Sequence, residues 1–267
     1  MSNSDPIGVF DSGIGGLSVL SKIRAQLPAE HLVYIADNAY VPYGNKSEYE
    51  IQQRAELISQ YFIDQHRVKA IVIACNTATA AAVVHLRGRL SIPIIGMEPG
   101  LKPAVEQSMT GVVGILATEN TLNSEKFSHL RNRFGEQTEI ISQQCSGLVE
   151  RIELGDFSGP ETRNLVQYYL SPLLEKGVDS IVLGCTHYPI IKPLIEEIVG
   201  TAVQVIETGD AVARHVKNRL EQLQLINSAT ASGSMSFFTT DAHKDSVNYA
   251  SFWGESVDFS YLPLYMN

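Results

Sequence analysis

Short, uninterrupted apolar runs alternate with longer stretches of helical period along almost the whole chain. The runs fall near Ile7 to Phe10, Leu32 to Ala36, Lys69 to Ala74, Ile92 to Ile95, Gly111 to Leu116, Thr138 to Ser142, Val178 to Gly184 and Val203 to Ile206. They are rich in β-branched residues and most lack an apolar/polar alternation, the pattern of strands buried on both faces of a parallel sheet. Between them, segments such as Ser47 to His66 and Glu161 to Lys176 read as helices. The first opens with Ser47 three residues before Glu50, a capping-box pattern. Such alternation predicts an α/β protein with mainly parallel sheets flanked by helices.

The runs also repeat. Ala70-Ile71-Val72-Ile73-Ala74 leads into Cys75-Asn76-Thr77, and Ser180-Ile181-Val182-Leu183-Gly184 leads into Cys185-Thr186-His187. Ile7-Gly8-Val9-Phe10 leads into Asp11-Ser12, and Gly114-Ile115-Leu116 into Ala117-Thr118. The interval from Ser12 to Thr118 is close to that from Cys75 to Cys185, so the two motif pairs recur in one order at nearly one spacing. An internal duplication follows, with two lobes. Gly96-Met97-Glu98-Pro99-Gly100 and Glu207-Thr208-Gly209-Asp210 look like crossing points. They divide the chain into a first lobe of 1–98 with 208–267 and a second of 99–207. The tail from Ser228, with a strand-like run over Met235 to Thr239, is too short for a domain and is expected to pack on the first lobe. The crevice would then lie between the lobes.

Composition narrows the classes. With 44% hydrophobic and 18% charged residues the chain can build a real core, which excludes a disordered protein. No apolar run approaches the ~20 residues of a membrane helix. The opening Met1-Ser2-Asn3-Ser4-Asp5-Pro6 lacks the basic and apolar parts of a signal peptide, so a cytoplasmic location is expected. A net charge of −9 argues against a nucleic-acid surface, and any anion site has to be built locally from N–H groups and hydroxyls. Cys75, Cys145 and Cys185 are too few and too scattered for a disulfide framework, and no Cys or His spacing suggests a metal.

The chemistry gathers at strand ends, where open α/β sheets place ligands. Asp11-Ser12-Gly13-Ile14-Gly15-Gly16 is neither a dinucleotide fingerprint nor a P-loop. It reads either as a structural turn or as a pocket for a small carboxylate with Asp11 as an acid/base auxiliary. Asp37-Asn38-Ala39-Tyr40-Val41-Pro42-Tyr43-Gly44 carries two tyrosines on a rigid turn, for which loop packing is an equal reading. A lone cysteine at a strand end is commonly a small buried hydrophobe. Two at matching strand ends suggest a pair of acid/base groups. N–H groups of a helix start after Asn76 or Thr186 would favour the thiolates, and His187 is placed to be a proton partner for Cys185. Cys145 lacks a preceding apolar strand, opens a helical segment and reads as structural.

With Asp11-Ser12-Gly13-Ile14-Gly15-Gly16, Val41-Pro42-Tyr43-Gly44, Ala74-Cys75-Asn76-Thr77-Ala78 and Gly184-Cys185-Thr186-His187-Tyr188-Pro189 in this order, the chain resembles the glutamate racemases of the cofactor-independent aspartate/glutamate racemase superfamily. The resemblance spans nearly the whole chain. It implies two pseudo-symmetric α/β lobes with glutamate held between them, no cofactor and no metal. It further implies that Cys75 and Cys185 act on opposite faces of the α-carbon, Cys75 on the D and Cys185 on the L enantiomer. Asp11 and His187 match the auxiliaries of the two thiols, and Asp37 and Glu153 two further supporting acids. Ser12, Tyr43, Gly44, Asn76, Thr77, Thr118 and Thr186 match substrate-binding positions, which Asp11 and His187 share. The implied role is supply of D-glutamate for bacterial peptidoglycan; a homodimer is left open. Cys145-Ser146-Gly147 and Glu207-Thr208-Gly209 depart from the common pattern, where many members have Cys-Pro and Asp-Ser.

Other functions fit less well. An aspartate or hydantoin racemase would use the same thiols, but Thr186-His187-Tyr188-Pro189 favours glutamate. A two-lobed amino-acid-binding protein would not need a thiol on each side. A pyridoxal-phosphate racemase would need a pocket-facing lysine, and none lies in the four motifs.

Overall fold

The computed structural model describes residues 2–136, 138–243 and 257–265. The chain begins β1 (Ile7–Asp11), α1 (Leu17–Gln26), β2 (Leu32–Ala36), α2 (Glu48–His66), β3 (Ala70–Ile73), α3 (Asn76–Arg89) and β4 (Ile94–Ile95). It continues through α4 (Leu101–Gln107), β5 (Val112–Ala117), α5 (Glu119–Asn123), α6 (Glu125–Phe134), β6 (Glu139–Gln144), α7 (Leu148–Glu153), α8 (Pro160–Glu175), β7 (Ser180–Leu183), α9 (Lys192–Val199) and β8 (Gln204–Ile206). It ends with α10 (Gly209–Gln222), β9 (Met235–Thr239) and β10 (Ser260–Tyr261). The chain forms two compact units, Met1–Met97 with Gly209–Asn267, and Glu98–Thr208.

The first unit is built on a parallel sheet in the order β10-β9-β2-β1-β3-β4. All residues of β1, β2 and β3 are buried, which explains their unbroken apolar runs. Helices α2 and α3 close one face of the core over Phe10, Ile35, Ile71 and Ile73, and α1 packs along α10. The tail adds β9 beside β2 and β10 beside β9; its residues 244–256 lie outside the described ones.

The second unit carries a parallel sheet in the order β6-β5-β7-β8, with Val113, Ile115, Phe127, Ile140 and Val182 in its core. Its β6 sits at the sheet edge, where Ile140 is buried and the other positions are half-buried or exposed. That edge accounts for a difference from expectation. β6 runs through Gln144 and delivers Cys145 directly from a strand, although the polar Ser142-Gln143-Gln144 end hides it in the sequence.

Both sheets reverse direction at the same place. From β1 the chain moves outward to β2 on one side, then returns to β3 on the other; β5, β6 and β7 do the same. Such a switch splays the loops apart and opens a ligand crevice at the strands' carboxyl ends. In the first unit Ala74 N–H donates to Phe10 O at 2.8 Å, and in the second Gly184 N–H donates to Leu116 O at 2.8 Å. These matched bonds put Cys75 beside Asp11-Ser12, and Cys185 beside Ala117-Thr118. Among the described residues no helix is long and apolar enough to cross a membrane.

The capping box at α2 forms in full: Ser47 Oγ accepts from Glu50 N–H, and the Glu50 carboxylate accepts from Ser47 N–H at 2.9 Å. Ser47→Ala is expected to destabilise the protein by about 1 kcal/mol without altering the sites, read as a lower urea midpoint at unchanged slope.

Candidate active site

In the first unit, the turn after β1 is held by Asp11 from within and by Tyr34 of β2. Asp11, fully buried, accepts from Gly16 N–H at 2.6 Å, and Tyr34 O–H donates to Gly13 O at 2.6 Å. A Cβ at position 16 would stand 2.6 Å from Asp11 Cβ and 2.7 Å from Tyr34 Oη, so only glycine lets the turn close this tightly.

Cys75 is the N-cap of α3, and its Sγ accepts from Ala78 N–H at 3.4 Å. The sulfur therefore stands at the positive end of a 14-residue helix, where a thiolate gains from the first-turn N–H groups. The Ser12 hydroxyl also lies near the sulfur, at 4.0 Å. Next in the chain, the Asn76 side chain is buried, with neither its amide nitrogen nor its amide oxygen hydrogen-bonded. A buried amide with both ends unmet is costly unless a ligand completes it. Thr77 is buried beside it.

Tyr43 and Gly44 lie in a single 3-10 turn, Tyr43–Asn45, entered through a cis Val41–Pro42 bond. Tyr43 packs in the same apolar cluster as Cys75, and its O–H donates to Asp37 Oδ2 at 2.5 Å. Burial, reinforced by the Asp37 carboxylate, pushes the Tyr43 phenol well above its ordinary value, so it stays protonated. Asp37 itself is held by Arg54 and by the Thr240 hydroxyl.

In the second unit the thiol is supported differently. Cys185 Sγ lies 3.8 Å from His187 Nδ1, and His187 Nε2 lies 2.7 Å from Glu153 Oε1 at the end of α7. All three side chains are buried. Burial works to lower the His187 pKa, but the hydrogen bonds to Cys185 and Glu153 outweigh it and hold the imidazole well above its ordinary value. No α-helix starts at Cys185: a 3-10 turn covers Tyr188–Ile191 and α9 begins only at Lys192. Pro189 near the turn's start and Pro193 in the first turn of α9 lack N–H groups, which breaks up the helix start expected after Thr186. Thr118 caps α5, accepting from Thr121 N–H at 3.4 Å, and Thr186 is buried next to the thiol in sequence.

Three residues stand out to which sequence reasoning assigned no individual role. Arg54 holds Asp37, Thr240 joins it, and Tyr188 O–H reaches the Cys145 carbonyl at 3.5 Å. Burial and the neighbouring Cys145 and Cys185 push the Tyr188 phenol well up, and burial likewise pushes the Cys145 thiol up, leaving both protonated. Among the described residues, no group of three or more His, Cys, Asp and Glu side chains is placed to hold a metal ion.

Residues 7–216 match the family model described as Asp/Glu/Hydantoin racemase. A glutamate racemase of Methylococcus capsulatus is 52% identical over 238 residues, covering 89% of this chain and 88% of that protein. The crystal structure of the glutamate racemase isoform RacE1 from Bacillus anthracis superimposes with a TM-score of 0.86 at 32% identity, covering 98% of this chain and 100% of that one. A glutamate racemase from Francisella tularensis, in complex with D-glutamate, matches with a TM-score of 0.83 at 32% identity over 98% of both chains.

Proposed function

This chain belongs to the Asp/Glu/hydantoin racemase family, and from that premise we propose that it interconverts L- and D-glutamate by proton transfer between two thiols. The observation that carries the reading is the recurrence of one thiol at the same switch point of each sheet, Cys75 in one unit and Cys185 in the other. Racemisation needs two acid/base groups, since a single base tends to return the proton to the face it left. The 52% identity to a glutamate racemase of Methylococcus capsulatus, and the likeness to the relative seen with D-glutamate, support glutamate over aspartate or a hydantoin.

With D-glutamate bound, the Cys75 thiolate takes the α-proton: the C–H bond breaks, an S–H bond forms, and the electron pair stays on the α-carbon. The Cys185 thiol then gives its proton to the opposite face, leaving a thiolate beside His187. The reverse sequence converts L-glutamate, and each turnover exchanges the protonation states of the two sulfurs. No external electron acceptor or donor is needed.

The surroundings suit these tasks. The α3 N-terminus stabilises negative charge on Cys75, and an imidazolium at His187, held by Glu153, does so for Cys185. Asn76 offers a donor and an acceptor to the substrate, with Ser12, Thr77, Thr118, Thr186 and the Tyr43–Gly44 turn as further binding positions. Asp11 shapes the turn that carries Ser12. The D-glutamate produced would serve peptidoglycan synthesis.

The test is to incubate the protein with pure L-glutamate in D2O, with reduced thiols and without added cofactor, following optical activity and α-proton loss together. Decay of rotation with deuterium entering the α-carbon is expected. Turnover of aspartate or a hydantoin with glutamate untouched would overturn the substrate assignment, and binding without exchange would overturn the chemistry.

A further inference from the structure

Arg54 occupies a place where an arginine is costly. It lies on the buried stripe of α2 with Ile51, Ala55, Ile58 and Phe62, and neither its side chain nor that of its partner Asp37 has any exposed surface. Removing a guanidinium and a carboxylate from water costs several kcal/mol per ion, offset only when the geometry is good and the remaining donors are met. Here they are. Nε donates to Asp37 Oδ2 at 2.9 Å and Nη2 to Asp37 Oδ1 at 2.6 Å, a two-pronged pair. Nη1 donates to the carbonyl of Leu264, 210 residues away, at 2.8 Å. The guanidinium also lies over the Tyr40 ring, 4.0 Å from its centroid.

The carboxylate it holds is equally committed. Asp37 accepts from Tyr43 O–H at 2.5 Å and from Thr240 O–H at 2.8 Å. Three separated segments thus meet at one ion pair: the loop after β2, helix α2, and the tail beyond β9. The pair spends an Asp37 oxygen on Tyr43, at the start of the turn assigned above to substrate binding, and a guanidinium nitrogen on the tail.

We infer that Arg54 is a positioning residue for substrate binding, fixing the Tyr43–Asn45 turn through Asp37 and tying that turn to the C-terminal segment at Thr240 and Leu264. The inference rests on Tyr43 and Gly44 being substrate-binding positions. Arg54 touches no reacting atom. Its loss should weaken binding of substrate and transition state alike, which raises KM and spares kcat.

Arg54→Lys keeps the charge but not the fork, since one ammonium cannot copy a planar two-pronged contact while reaching the Leu264 carbonyl. It is expected to raise KM for both enantiomers roughly tenfold with kcat within about twofold, the effect of losing one charge-assisted hydrogen bond. Tyr43→Phe cuts the link to Asp37, so the double variant should show much less than the product of the two single effects. Thr240→Val, which leaves the ion pair whole, should raise KM about threefold. Unchanged KM in folded Arg54→Lys, or strictly multiplicative effects with Tyr43→Phe, would overturn the inference. Should Arg54→Lys fail to fold, Thr240→Val decides, and wild-type KM there overturns it. Amide hydrogen exchange over residues 40–46 gives a readout independent of substrate: faster exchange in Arg54→Lys is expected, and an unchanged pattern counts against the inference. That readout holds even if the wild-type protein leaves glutamate untouched, which would defeat the proposed function instead.

Discussion

Replacing Cys185 with alanine is expected to end racemisation in both directions while leaving α-proton exchange for one enantiomer only. In D2O, D-glutamate should still lose its α-proton, because the Cys75 thiolate can remove it and return a deuteron to the same face. L-glutamate should neither exchange nor invert. Cys75→Ala should give the mirror result, with exchange confined to L-glutamate. The fall in racemisation is set by the missing acid/base group, roughly 10²- to 10⁴-fold or more. Both cysteines are buried and small, so loss of one sulfur should cost on the order of 1 kcal/mol and leave the protein folded. The enantiomers have equal free energies in water, so kcat/KM must fall equally in the two directions whichever thiol is removed. One-sided exchange is therefore the signature to look for, by NMR of the α-proton beside polarimetry. Racemisation retained in either variant would sink the two-thiol mechanism.

His187→Gln is expected to be nearly as damaging, roughly 10²-fold or more in kcat/KM. Glutamine can still bond Glu153, but it brings no positive charge to Cys185 Sγ. The variant should also change how stability depends on pH. Burial alone would lower the His187 pKa, yet the hydrogen bonds to Cys185 and Glu153 leave it well above the 6.5 of a free imidazole. A group whose pKa rises on folding contributes stability that is fully present below its unfolded value and is lost as pH rises through its folded one. Wild-type protein should therefore have an added stability near pH 6 that fades on the alkaline side, and His187→Gln should lack that component. Urea midpoints of the two proteins from about pH 6 upward measure the difference directly, which cancels the tyrosines that titrate in the same range. Parallel curves would show that His187 is not held charged.

Sequence legibility followed burial. β1, β3 and β7 are buried on both faces, so each reads as an apolar run ending at the residue that matters: Asp11, Cys75, Cys185. β6 lies at a sheet edge, and its polar second half concealed that Cys145 also follows a strand. His187 could be read as a partner of Cys185 by adjacency, whereas Glu153 lies 34 residues away and entered only through family resemblance. The unequal support of the two thiols was partly hidden. Asn76-Thr77-Ala78 opens a true helix, while Pro189 and Pro193 deny Cys185 the same cap. Arg54 was invisible for a simple reason: a charged residue in an amphipathic helix ordinarily faces solvent, and its partners lie in distant segments.

The order of the strands also bears on how the protein comes off the ribosome. β9 pairs with β2, yet Met235 is made roughly 200 residues after Ala36, a delay of about 10–40 s at ordinary translation speed. Throughout that interval β2 presents an open apolar edge, and the Arg54 guanidinium lacks its Leu264 acceptor. The whole of Glu98–Thr208 emerges meanwhile and can collapse as a closed piece of its own. The nascent chain is thus most exposed to aberrant pairing at β2, and a chaperone engaging it has its natural target along Leu32–Ala36 until about the last eighth of the polypeptide arrives.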